Sequence, residues 1–94
     1  MDDKEIKAII EALIFVSGEP ITLNRIRDVI EGVDKKTLER LASELKDEFN
    51  KEYRGLQLVE IANGYQLTTR SEYANWIKKL NKINSSGQNT YHFF

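Results

Sequence analysis

The sequence predicts an α+β fold, and three observations carry that reading. Three successive stretches place apolar residues at spacings of three and four, the period of a helix with one buried face. Leu56 to Arg70 then reads as two short strands joined at Asn63-Gly64. That pair best tolerates the positive φ that both central residues of a type I′ turn need. A fourth helical stretch follows the hairpin. Three helices, a short strand, a β-hairpin wing and an extra C-terminal helix make a winged helix-turn-helix, expected over residues 1–83.

The elements follow in order. From Asp2 to Ser17, Ile6, Ile9, Ile10, Leu13 and Val16 form one stripe, and Asp2 and Asp3 favour the positive end of the helix dipole. Ser17-Gly18-Glu19-Pro20 ends that helix, because glycine offers a left-handed cap and proline cannot continue it. Ile21 is expected to be extended. Thr22 is an N-cap for a short helix carrying Leu23, Ile26, Val29 and Ile30 on one side. After Gly32-Val33, Asp34 caps a longer helix reaching about Tyr53, with the stripe Leu38, Leu41, Ala42, Leu45, Phe49 and Tyr53.

A two-residue loop at Asn63-Gly64 would set Ala62 opposite Tyr65, Glu60 opposite Leu67 and Leu58 opposite Thr69. Leu56, Leu58, Tyr65 and Leu67 then share the core face. Val59 and Ile61 fall on the other face, among Gln57, Gln66, Thr68 and Arg70. Ser71 caps a last helix to about Lys82, whose Tyr73, Trp76, Ile77 and Leu80 are expected to pack in the core. Residues 84–94 lose all periodicity and read as a flexible, linker-like tail, either native or vector-derived.

Ninety-four residues suffice for one domain with a single core. Forty per cent hydrophobic and 31% charged residues place the chain among ordinary globular proteins. With no cysteine there is no disulfide framework, thiolate ligand or thiol nucleophile, which suits a cytosolic protein. No signal-peptide pattern opens the chain, and the longest apolar run, Ala12 to Val16, cannot cross a bilayer, so no membrane association is expected.

Catalytic chemistry needs a constellation, and none is visible, so no enzyme, metal or cofactor is expected. The one histidine, His92, sits in the tail, and the five glycines fit breaks and turns and form no phosphate loop. Glu44, Asp47, Glu48 and Glu52 could be pictured as a metal or acid-base group. Alternation with Lys46 and Lys51 favours a solvated helix face instead.

Nucleic-acid binding, the common use of a winged helix, finds little support in charge. The formal net charge is −1. The third helix, the reader in a DNA-binding member of the class, mixes five basic with six acidic residues between Asp34 and Tyr53. The wing tip, Ala62-Asn63-Gly64, carries no cation. Only the last helix is locally basic, through Arg70, Lys78, Lys79 and Lys82. Lys78, Lys79 and Lys82 are therefore the candidates for weak phosphate contact, and ordinary solvation outweighs that reading.

Apolar positions outside the stripes are the remaining signal. Ile14 and Phe15 lie off the main stripe of the first helix, Phe15 about 160° from Leu13 on a helical wheel. Val59 and Ile61 interrupt the polar face of the wing. Each has two readings: a local fold-back or cover by the last helix, or contact with a partner. Ile14, Phe15, Val59 and Ile61 are the candidate interface residues.

The segments IIEALIFVSGEPIT (Ile9 to Thr22) and YRGLQLVEIANGYQLTTRSEYANWI (Tyr53 to Ile77), at this separation, resemble the N-terminal domain of the segregation and condensation protein B (ScpB) family. The GEP turn, the GLQLVE…GYQL hairpin and the TR-x-EYA helix start recur together over about residues 5 to 80. The resemblance implies two winged-helix domains in a full family member, the first of them corresponding to this chain. It implies a non-catalytic scaffold that forms a homodimer and binds a ScpA-type kleisin, and through it an SMC ATPase. The expected setting is cytoplasmic and nucleoid-associated, in chromosome condensation and segregation. It assigns no individual contact residue, and on its terms direct DNA binding is weak or absent. On fold analogy alone, a DNA-binding transcriptional regulator is the alternative.

Overall fold

The computed structural model describes residues 1–51 and 53–83. The tail expected over residues 84–94 lies outside them, as does Glu52. Within them the order is α1 (Asp3–Ser17), α2 (Leu23–Val29), α3 (Lys35–Phe49), β1 (Leu56–Ile61), β2 (Gly64–Thr69), a 3₁₀ turn (Ser71–Tyr73) and α4 (Ala74–Ile83). This is the α+β winged-helix arrangement that the sequence predicts.

Capping residues begin the first three helices. The side-chain oxygens of Asp2, Thr22 and Asp34 accept the backbone N–H groups of Glu5, Arg25 and Thr37 at 2.9, 3.1 and 2.9 Å. Each satisfies one of the orphan donors of a helix N-terminus. Hydrogen bonds from Thr37 also hold the Asp34 carboxyl below its ordinary pKa. Gly18 closes α1 with φ +67°, the left-handed cap expected there.

The core is built from Ile6, Ile10 and Ile14 of α1, Ile26 and Ile30 around α2, Leu38, Leu41, Leu45 and Phe49 of α3, and Leu58 of β1. Ile9 and Leu13 pack against its edge, and Val16 is half exposed. The buried stripe of α1 is thus rotated from the one expected: it centres on Ile10, because α3 and the hairpin both lie on the Ile14 side. Ile14, expected off the stripe, is 1% exposed and belongs to the core.

The expected reach of α3 is also corrected. It stops at Phe49 because the next residues are claimed by other groups. The Asn50 amide bonds both polar groups of Leu58: it accepts that residue's N–H at 3.1 Å and donates to its carbonyl at 3.3 Å. Arg70 reaches across to donate to the carbonyls of Phe49, at 3.1 Å, and Lys51. A cation at the last carbonyls of a helix is favoured by hydrogen bonding and by the helix dipole together. Tyr53, expected in the helical stripe, takes φ +66° and is almost fully exposed.

The hairpin register differs from the expected one. Ile61 pairs with Gly64, Glu60 with Tyr65, Leu58 with Leu67 and Leu56 with Thr69. The two-residue loop is Ala62-Asn63, with φ +52° and +61°, both in the left-handed region that a type I′ turn requires. Gly64 is used otherwise. A Cβ there would meet the backbone oxygen of Ile21 at 2.8 Å. Ile21 is the expected short strand, exchanging two hydrogen bonds with Tyr65: its N–H donates at 3.0 Å and its carbonyl accepts at 2.8 Å. The pairing shift is two residues, so Leu56, Leu58, Tyr65 and Leu67 keep one face, as expected.

Gly64→Ala should destabilise the domain by about 1–3 kcal/mol through overpacking against immobile backbone. Gly18→Ala, which meets no atom within 4 Å and suffers only from its positive φ, should cost about 1 kcal/mol. Urea denaturation of both variants checks this; a smaller loss at Gly64 than at Gly18 would contradict the register account.

Candidate partner-docking surface

Part of the chain's charged chemistry closes on itself. Lys7 of α1 lies 2.7 Å from Glu48 and 3.1 Å from Glu44 of α3, and the two carboxylates raise its pKa. Arg40 reaches Asp3 at 3.0 Å and Glu44 at 3.2 Å, and Lys46 reaches Glu60 of β1 at 3.1 Å. Glu44, held first by Lys7 and also by Arg40, has its pKa lowered. Two of the acids that could be pictured as a metal or acid-base group are therefore partners of cations from α1 and α3. Among the described residues, no group of three His, Asp or Glu side chains is placed to hold a metal ion.

Arg70 leaves the basic patch for a structural reason. Besides its bonds to the end of α3, its Nε donates to the Leu56 carbonyl at 3.5 Å. Lys78, Lys79 and Lys82 stay on the exposed side of α4, with Lys79 4.9 Å from the centre of the Trp76 ring.

The outward surface is apolar in several places, and the candidate interface residues do not converge on one of them. Phe15, 39% exposed, forms a ridge between two adjoining concavities. One, about 320 Å³, lies between the end of α1, β2 and Ile77 of α4. The other runs along the outer face of α1 past Ala8, Glu11 and Ala12 to Phe49. Leu56 and Leu67 floor both. Ile61, half exposed, stands at the wing tip over a separate cleft beside the starts of α2 and α3. Val59 is half-buried on the outer face of the wing. Ile14 touches the 320 Å³ groove from below, within the core.

The sequence places α4 but misjudges what covers its apolar stripe. Trp76, Leu80 and Ile83, at spacings of four and three, are 65%, 54% and 80% exposed, and no residue of α4 is buried. The shared stripe predicts Trp76 in the core, and the structure leaves it and Leu80 largely exposed. The stripe itself was the available signal, but an amphipathic pattern demands only that a face be covered, not that the same chain cover it. Here α1, α2, α3 and the hairpin already complete the core, and the chain leaves α4 beside them.

These features define a class: a winged-helix domain in which two recognition-helix cations, Arg40 and Lys46, are paired within the fold and in which apolar side chains are prominent on the outer surface. The chain belongs to the family of the segregation and condensation complex subunit ScpB, whose model matches residues 8–90. It is 42% identical over 80 residues to segregation and condensation protein B of Syntrophotalea carbinolica, covering 85% of this chain and 40% of that protein. Its counterpart in Bacillus pumilus is 40% identical over 82 residues, covering 86% of this chain and 41% of that protein. The chain thus spans less than half the length of these relatives.

Among solved structures it resembles a dimer of a ScpB N-terminal domain complexed with ScpA peptide, with TM-score 0.76 and 38% identity. That match covers 82% of this chain and 95% of the other. ScpB from Mycobacterium tuberculosis shares the fold at TM-score 0.83 and 23% identity, over 97% of this chain and 56% of that one. Among the described residues no helix is long and apolar enough to cross a membrane.

Arg70→Met keeps most of the aliphatic packing and removes the donors that close the end of α3. It should lower stability by about 1–3 kcal/mol in chemical denaturation, the range for hydrogen bonds from a charged donor. A loss below about 0.5 kcal/mol, ordinary for a surface change, would return Arg70 to the solvated patch.

Proposed function

We propose that this chain is a non-catalytic dimerisation and scaffold domain of a kleisin-associated subunit, acting beside an SMC ATPase in chromosome condensation and segregation. Its setting on this reading is the cytoplasm, at the nucleoid. The observation that carries the reading is the exposed apolar stripe of α4, Trp76, Leu80 and Ile83. Fully solvated, such a stripe is costly, and a second copy placing the same stripe against it would remove both from water. The related N-terminal domain solved as a dimer with ScpA peptide supports both partners.

Phe15 is assigned to kleisin contact, and Val59 and Ile61 to a further partner contact on the wing. Direct DNA contact is weak or absent on this reading. Arg40 and Lys46 of α3 are paired with Asp3, Glu44 and Glu60, and the locally basic Lys78, Lys79 and Lys82 of α4 are the candidates for weak phosphate contact.

Sedimentation equilibrium tests the reading. The chain should be a dimer at tens of micromolar, and Trp76→Glu should weaken association at least tenfold while keeping the circular-dichroism spectrum of the folded chain, since Trp76 is exposed. Labelled duplex DNA added at low salt should sediment apart from the protein. A monomer at high micromolar concentration would overturn the dimer, and salt-sensitive comigration with duplex would favour the regulator alternative.

A further inference from the structure

We infer that the open edge of β2 is a strand-addition site for an extended segment of the kleisin partner, with apolar residues at alternate positions and carboxylates beside them. The inference rests on the docking reading above and adds where and how the partner binds.

The hydrogen-bond pattern of the sheet locates the edge. The N–H and carbonyl of Tyr65 both point to Ile21, away from β1. In an antiparallel pair that direction alternates, so Leu67 and Thr69 also turn their backbone groups outward, while Gln66 and Thr68 bond to β1. β1 has the same alternation, and there Asn50 closes Leu58 and Arg70 reaches the carbonyl of Leu56. On β2, Ile21 closes only Tyr65. Among the described residues, nothing bonds the outward groups of Leu67 and Thr69. Edges are ordinarily blunted by charge, proline or cover on the strand itself, and Leu67 and Thr69 carry neither charge nor proline.

Shape and charge select the occupant. The edge lines the groove of about 320 Å³ between Phe15 and Gly18 on one side and Ile77 on the other. A slim extended chain fits between such walls, whereas a second copy would bring its own Lys78, Lys79 and Lys82 against the same lysine rim. Strand addition supplies main-chain hydrogen bonds, and the pockets under alternate side chains supply selectivity. Here Leu56, Leu67 and Phe15 offer an apolar surface for those side chains. The same α4 that contributes Ile77 carries Lys78, Lys79 and Lys82, none of them paired with a carboxylate among the described residues. That rim favours acidic residues flanking the bound segment and attracts them before docking.

Thr69→Pro is the direct test. It removes only an outward N–H, a position where a strand tolerates proline, and leaves the ladder to β1 intact. The probe is the full-length ScpA-type kleisin from the same genome, with affinity read by titration calorimetry and backbone protection by hydrogen exchange. The native chain should bind it with slowed exchange at Leu67 and Thr69, and Thr69→Pro should weaken binding about tenfold with an unchanged thermal midpoint. Phe15→Asp, which spoils the wall without touching the backbone, should weaken it as well. Should Thr69→Pro not fold, the native exchange pattern and Phe15→Asp decide.

Binding that leaves both amides fast and ignores both substitutions overturns the inference while the docking reading stands. No binding by the native chain overturns both. Edge protection that instead grows with the concentration of the chain alone assigns the edge to a second copy and overturns the kleisin as its occupant.

Discussion

The approach of the Ile21 backbone to Gly64 is the constraint on which the outer surface of this domain depends. It ties the turn after α1 to the wing and commits the one glycine of the hairpin to a contact that no Cβ could share. It thereby moves the reversal onto Ala62-Asn63. The pairing set there decides which backbone groups of β2 face outward. The strained left-handed conformation of Ala62 is a cost of order 1 kcal/mol that the wing accepts to keep the third strand in place. Asn50 and Arg70 hold the other end of the hairpin to α3, so the wing is fixed at both ends.

Within that frame several polar groups serve the fold. Lys7, Arg40 and Lys46 join α1, α3 and β1 through Glu44, Glu48, Asp3 and Glu60. The pairs involving Arg40 and Lys46 are exposed and individually weak, and they matter more for what they withhold. A third helix with Arg40 and Lys46 so engaged, and with acids interleaved among its lysines, offers less to a phosphate backbone. Beside the surface charges, three outward features are apolar or main-chain: the α4 stripe, the Phe15 ridge and the β2 edge. Those are the means by which one protein recognises another, in agreement with membership of the ScpB family.

Much of the fold was legible in the residues because local rules and tertiary packing agree there. Thr22 and Asp34 cap as expected, and Leu38 to Phe49 form the buried stripe of α3. Failures came where a distant residue overrode a local preference. Asn63-Gly64 is the stronger turn pair, but Ile21, more than forty positions away in sequence, claims the glycine. The α3 stripe continues to Tyr53 on paper, yet Arg70 and Asn50 end the helix at its fourth turn. The face assignment of the hairpin survived because the register error was an even number of residues.

The partner surface was less legible. Periodicity finds apolar faces without saying which molecule covers them, so the stripe of α4 reads as core although Trp76, Leu80 and Ile83 are exposed, and Ile14 reads as a candidate contact although it is buried. The open edge of β2 was invisible, because a backbone edge leaves no mark on residue identity.

Amide hydrogen exchange of the free chain at low micromolar concentration tests the central claim most directly, residue by residue along β2. Tyr65, Gln66 and Thr68 should exchange slowly, the first through Ile21 and the others through β1. Leu67 and Thr69 should exchange fast between them. Protection of Leu67 and Thr69 equal to that of Gln66 and Thr68 would contradict the account, because the edge would then already be closed within the chain.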